Sequence, residues 1–194
     1  MQTPNTSGLV LTHGAGGNSR ASLLVAVDEA FTAAGITVVR YDLPFRQKRP
    51  FGPPSPAGAA ADRAGLREAV TRMRSLVTGR VFLGGHSYGG RQATMLAAEE
   101  PGLVDALLLL SYPLHPPGKP SQMRTAHFPA LHTPAVFVHG AKDDFGTPEE
   151  MTEALLLIPA PVRLILLEGA GHDLGKGKKD VTQAALQSGV FACQ

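Results

Sequence analysis

The sequence predicts an α/β fold, a three-layer α/β/α sandwich around a mostly parallel six-stranded sheet. Three observations predict it. Short apolar runs alternate with helical stretches along the chain, as expected of parallel strands buried on both faces. One such run, Val81-Phe82-Leu83, passes directly into Gly84-Gly85-His86-Ser87-Tyr88-Gly89-Gly90, the pattern of a strand that turns sharply into a helix. The 194 residues suit one domain, 1–194, large enough to bury most of its apolar surface in a single core.

Taken in order, the first strand is expected at 9–12 and ends in His13-Gly14-Ala15-Gly16-Gly17. A helix at 19–34 and a strand at 37–41 follow. Residues 44–56 are rich in proline, which removes donors and restricts the chain, so no regular element is expected to persist there. A helix at 57–77 leads to the strand at 80–83 and, through the Ser87 turn, to a helix at 87–99. Ala106-Leu107-Leu108-Leu109-Leu110 reads as a buried strand, since it falls far short of the roughly 20 residues that span a bilayer. A second proline-rich connection, 112–134, joins it to a strand at 135–138. A helix at 148–157, a strand at 162–167 and a helix at 180–191 complete the pattern. No internal repeat or linker points to a second domain. Both proline-rich stretches emerge at the C-terminal edge of the sheet, where open α/β folds bind ligands. The second is too short for a helical lid, so an open, shallow pocket is expected.

Composition excludes several classes of function. A net charge of +2 with scattered basic residues implies no nucleic-acid partner, and Lys176, Lys178 and Lys179 read as a solvated turn. The single cysteine, Cys193, excludes an intrachain disulfide and fits a reducing cytoplasm. Met1-Gln2-Thr3-Pro4-Asn5 carries neither a basic segment nor an apolar core, so no signal peptide is expected. No His/Cys/Asp cluster has metal-ligand spacing, so no metal is expected.

The chemistry centres on Ser87. Gly85-x-Ser87-x-Gly89 fits a nucleophile elbow, in which a strained serine projects above the sheet and larger neighbours would clash. A serine needs a base, and the base an orienting acid, each at the end of a later strand. Strand 135–138 ends in His139-Gly140-Ala141-Lys142-Asp143-Asp144, and strand 162–167 ends in Glu168-Gly169-Ala170-Gly171-His172-Asp173. The spacing therefore assigns Ser87 as nucleophile, Asp143 as acid and His172 as base. Asp144 is the rival acid, one residue on and expected to point elsewhere. Glu168 lies too near its own strand end, and Asp173 reads as a loop or capping residue. The remaining histidines read blandly: His86 as an elbow residue, His139 as closing a strand, and His115, His127 and His132 as part of a connection. Oxyanion donors are expected from the backbone N–H groups of Tyr88 and Ala15, with Gly14, Gly16 and Gly17 as alternatives to Ala15.

The glycine loop also supports a rival reading, a dinucleotide site with Asp42 on the ribose. It fails because Ser19 stands where the third glycine belongs and Asp42 lies 28 residues past Gly14 rather than about 20. Arg91, one turn beyond Ser87, reads first as a structural salt bridge under the elbow and second as a binder of an anionic substrate group. Arg46, Lys48, Arg49, Lys119 and Arg124 on the loops hint at acidic substrates.

Several short motifs carry a family resemblance: Ser111-Tyr112-Pro113-Leu114-His115-Pro116-Pro117-Gly118-Lys119-Pro120, then Arg124-Thr125-Ala126-His127, Asp143-Asp144-Phe145-Gly146-Thr147 and Gly171-His172-Asp173. With them the chain resembles the α/β-hydrolases without a lid domain across nearly its whole length. It is most similar to the small dienelactone-hydrolase-like proteins grouped with testis-expressed protein thirty and the KANSL-three type hydrolase-like domain. The resemblance carries nucleophile, acid and base onto Ser87, Asp143 and His172. It departs at His86 and Tyr88, where members often have lysine and methionine, and at Asp144, where many have proline. Dienelactone hydrolases proper use a cysteine nucleophile, which sets that substrate apart. The reading that follows is a cytoplasmic serine hydrolase of carboxylic esters or thioesters, requiring no cofactor. The alternative is a catalytically silent hydrolase-like module that binds proteins.

Overall fold

The protein is described by a computed structural model covering residues 6–176 and 179–191. Residues 1–5, Lys178 and Cys193, and the side chains of Lys176 and Lys179, lie outside the described residues. The chain runs β1 (Gly8–Thr12), α1 (Ser22–Ala33), β2 (Thr37–Tyr41), α2 (Pro44–Lys48), α3 (Ala59–Leu76), β3 (Val81–His86), α4 (Tyr88–Glu99), β4 (Ala106–Leu110), β5 (Ala135–Gly140), α5 (Pro148–Leu155), β6 (Val162–Leu167) and α6 (Lys179–Gln187).

The six strands form one sheet in the order β2-β1-β3-β4-β5-β6. Every neighbouring pair is parallel, so the expected "mostly parallel" sheet is parallel throughout. The inner strands β1, β4 and β5 are buried along their length, whereas the edge strands β2 and β6 are partly exposed. That difference is why the inner runs read as continuous apolar stretches.

Alternate residues face opposite layers. Val10, Leu83, Leu107 and Phe137 pack with Leu66 and Val70 of α3, Ala93 and Leu96 of α4 and Met151 of α5. Leu9, Leu11, Phe82 and Leu108 pack on the other face with Leu24 and Phe31 of α1 and Val181 of α6. Each fully buried leucine or phenylalanine contributes about 1.5–3 kcal/mol, as an upper figure.

Several boundaries differ from the sequence expectation. Helix α1 starts at Ser22 rather than 19, because the Ser19 N–H and hydroxyl donate to the Asp42 carboxylate at 2.6 and 3.0 Å. Strands β3 and β5 run on to His86 and Gly140, carrying the ladder up to the functional loops. The proline-rich stretches hold only short elements, α2 and 3₁₀ turns at Pro56–Gly58 and Phe128–Ala130, with proline in the first turn where its missing donor costs nothing. Among the described residues no helix is long and apolar enough to cross a membrane.

The topology positions the site. From β1 the chain moves outward to β2, then returns past β1 to β3 and continues in the other direction. Register sets Thr12 opposite Gly85, so the loop after β1 and the turn after β3 emerge side by side at this switch point.

Candidate active site

Ser87 occupies the apex between β3 and α4 with φ 50° and ψ −116°, a strained region for a residue with a Cβ. Its N–H donates to Leu110 O at 2.9 Å, fastening the apex to β4. The turn closes only because glycine flanks it. A Cβ on Gly85 would lie 2.5 Å from backbone atoms of Gly89 and Gly90, and one on Gly89 would lie 2.5 Å from His13 O.

Asp143, His172 and Ser87 come together from three loops. His172 Nδ1 lies 2.8 and 3.0 Å from the two Asp143 carboxylate oxygens, and its Nε2 lies 2.8 Å from Ser87 Oγ. A carboxylate cannot donate, so Nδ1 carries the proton and Nε2 is free to accept from the serine hydroxyl. The Asp143 side chain is fully buried, while that of His172 is 25% exposed. Burial opposes ionisation of Asp143. The hydrogen bond and charge of His172, helped by the Phe145 N–H at 2.9 Å, outweigh it and hold the carboxyl below its ordinary range. The rival acids are elsewhere: Asp144 and Glu168 are exposed, and Asp173 accepts from the Gly175 N–H.

Two contacts to His172 had no sequence signal. Phe145 stacks on the His172 imidazole, with ring centres 4.0 Å apart and planes at 25°. His86 does not bond locally as an elbow residue; its Nε2–H donates to the backbone carbonyl of His172 at 2.9 Å, spanning 86 positions. Burial pushes the His86 pKa down, against that carbonyl, and keeps the ring neutral with its proton on Nε2. His139 Nε2–H donates to Gly146 O at 2.8 Å, bracing the Asp143 loop.

The expected oxyanion donors adjoin this chain of hydrogen bonds. Tyr88 is the first residue of α4, so its N–H has no acceptor within the helix. Gly14, next to Ala15, is so close that a Cβ on it would lie 3.3 Å from Ser87 Cβ. Ala15 itself is held by Arg46. Arg46 is 7% exposed, and its guanidinium donates to the carbonyls of Ala15 and Gly17 at 2.8 Å each, and to Pro50 and Gly52 at 2.7 and 3.1 Å. Arg46 therefore braces the loop instead of awaiting an acidic substrate. His13 secures the loop's start: Nδ1–H donates to Gly14 O at 2.8 Å and Nε2 accepts from Leu43 N–H at 3.1 Å. Burial lowers its pKa and keeps it neutral.

The structure corrects the first reading of Arg91: among the described residues it forms no ion pair, and its buried Nε has no partner. Asp42 is engaged by Ser19 rather than free for a ribose, which removes the remaining basis of the dinucleotide reading. Two cavities of the described residues lie elsewhere. A cavity of about 470 Å³ bounded by Leu166, Gly169 and Val181 contains none of the three residues, nor does one of about 360 Å³ between α2 and α3. The hydrogen-bond geometry marks the site.

Solved structures share this fold. A serine hydrolase homologue from Coxiella burnetii superposes with a TM-score of 0.73 at 17% identity, covering 96% of this chain and 84% of that one. Est1E from Butyrivibrio proteoclasticus gives 0.71 at 18% identity over 96% and 90%. A dienelactone hydrolase from Anabaena variabilis gives 0.70 at 19% identity over 98% and 86%. The profile of a family described as "Alpha/beta hydrolase domain" matches residues 5–190. With that match running nearly end to end, the chain belongs to the alpha/beta hydrolase domain family.

Proposed function

We propose that the protein is a serine hydrolase that cleaves carboxylic esters or thioesters through an acyl-enzyme. The observation that carries this reading is the unbroken hydrogen-bond chain Asp143–His172–Ser87 on a strained apex. Ser87 Oγ attacks the acyl carbon while His172 Nε2 takes its proton. Asp143 stabilises the imidazolium, and the N–H groups of Ala15 and Tyr88 hold the oxyanion. The tetrahedral centre collapses, the C–O or C–S bond breaks, and His172 returns the proton to the departing alcohol or thiol. Water, deprotonated by His172, then attacks the acyl-serine and releases the acid. The motif resemblance to the lidless dienelactone-hydrolase-like branch supports the same assignment of roles.

The test is covalent labelling with a fluorophosphonate probe and mapping of the labelled peptide. Label is expected on Ser87 in the wild type and absent from Ser87→Ala and His172→Ala. A folded wild type that stays unlabelled, beside a serine hydrolase that labels in the same tube, would favour the protein-binding module instead.

A further inference from the structure

Arg91 and Arg124 are two half-buried guanidinium groups that meet no carboxylate among the described residues. Arg91 sits one turn beyond Ser87, its N–H donating to Ser87 O at 3.0 Å. Its Nε is buried without a partner. Arg124 comes from the proline-rich connection, and among the described residues its side chain donates to the Pro113 carbonyl at a long 3.4 Å. Tyr112 joins the two: its ring is buried, its hydroxyl donates to Arg124 O at 2.6 Å, and both guanidinium charges bear on it. Burial and the charge of Arg91 together lower the pKa of Arg124, so the two cations feel each other. Ser111, which precedes Tyr112 in the chain, has a buried hydroxyl oxygen with no partner among the described residues. Nearby Arg63 shows the contrast, since Glu99 neutralises it at 2.9 Å.

Two like charges, partly desolvated and lacking a counter-charge, form an arrangement that an anion relieves. Guanidinium forks match a carboxylate in plane and spacing. The position also suits one side of the substrate. The leaving group must face His172 Nε2, which protonates it, and the His172 loop continues into Leu174 and Val181 on the α1/α6 face of the sheet. Tyr88 and Tyr112 belong to the opposite face, with α3 and α4. An acyl chain directed away from the leaving group would extend to the side that carries α4, the helix of Arg91.

We propose that Arg91 and Arg124 form a carboxylate-binding subsite for the acyl portion, making monoesters or monothioesters of dicarboxylic acids the preferred substrate class. This rests on the serine-hydrolase reading and deepens it.

The experiment compares mono-p-nitrophenyl glutarate with its uncharged counterpart p-nitrophenyl pentanoate, on the wild type, Arg91→Gln and Arg124→Gln. The wild type should prefer the glutarate ester in kcat/KM by at least about ten-fold, and each variant should cut that ratio by about ten-fold or more. Arg124 lies on a loop, so its variant keeps the test valid if Arg91→Gln fails to fold. No preference in the wild type, or a ratio unmoved in every folded variant, overturns the subsite while labelled Ser87 keeps the hydrolase reading. If neither ester turns over and Ser87 does not label, the hydrolase reading fails, and glutarate titration by calorimetry decides the subsite. Binding lost in the variants supports an anion site, and no binding to the wild type overturns it.

Discussion

At the scale of single residues, the clearest discrimination is between adjacent carboxylates. Asp143 and Asp144 are equal in the chemistry of their side chains, yet one is buried against His172 and the other faces solvent. Replacing Asp143 by Asn puts a donor where an acceptor is needed and favours the wrong imidazole tautomer. We expect Asp143→Asn to lower kcat by about 10⁴-fold, the scale found when a triad acid is so replaced. Asp144→Asn should stay within about twofold. Steady-state rates on p-nitrophenyl butyrate check both, and equal losses would contradict the assignment. Asp143 was readable from its place after a strand. Phe145 and His86 as partners of His172 were not, because a stacking ring and a carbonyl 86 positions away leave no local pattern.

At the scale of elements, the loop after β1 depends on α2, a helix of five residues inside a stretch that its prolines argued against. Arg46 on α2 turns inward and spreads its donors over five carbonyls, among them Ala15 and Gly17 of the loop proposed to hold the oxyanion. A side chain on one element thus sets the backbone of another. Arg46→Ala should reduce kcat by about ten- to a hundred-fold, less than outright loss of an oxyanion donor. KM should change far less, because the charge that the loop is proposed to stabilise develops only in the transition state. Arg46→Lys should recover little, since an ammonium cannot span the same carbonyls. Michaelis constants for the three proteins decide it; an unchanged kcat in Arg46→Ala would refute the bracing role.

At the scale of the whole molecule, buried histidines tie stability to pH. Burial lowers the pKa of His13, His86 and His127, the last to about 4 with further depression from Arg91 and Arg63. Each stays neutral when folded, whereas the unfolded chain takes up the proton near pH 6.5. The unfolded state then binds more protons, so stability declines as pH falls from about 6.5 toward about 4. Asp143 acts on the same side at lower pH, its contribution present above the ordinary carboxylate pKa and lost as pH drops through its depressed folded value. His115 opposes them. Its pKa is raised by the Pro116 carbonyl and Glu150 in spite of burial, so its contribution is present below about pH 6.5 and lost as pH rises through its folded value. With one group against three histidines, urea midpoints should be lower at pH 5 than at pH 7. A midpoint that is level or higher at pH 5 would contradict this balance.

The sequence by itself determined the parallel sheet, the order of its elements and the candidate nucleophile, acid and base. These depend on local causes: apolar periodicity, glycines where backbones touch at Gly85 and Gly89, and polar residues placed just after strands. Only the tertiary structure decided that Arg91 has no counter-charge among the described residues, that Arg46 serves the backbone rather than a substrate, and that His86 and Phe145 hold His172. Those facts are relations between residues far apart in the chain. Which long side chain meets which partner is set by how the layers pack and what they desolvate, and sequence spacing carries no record of it.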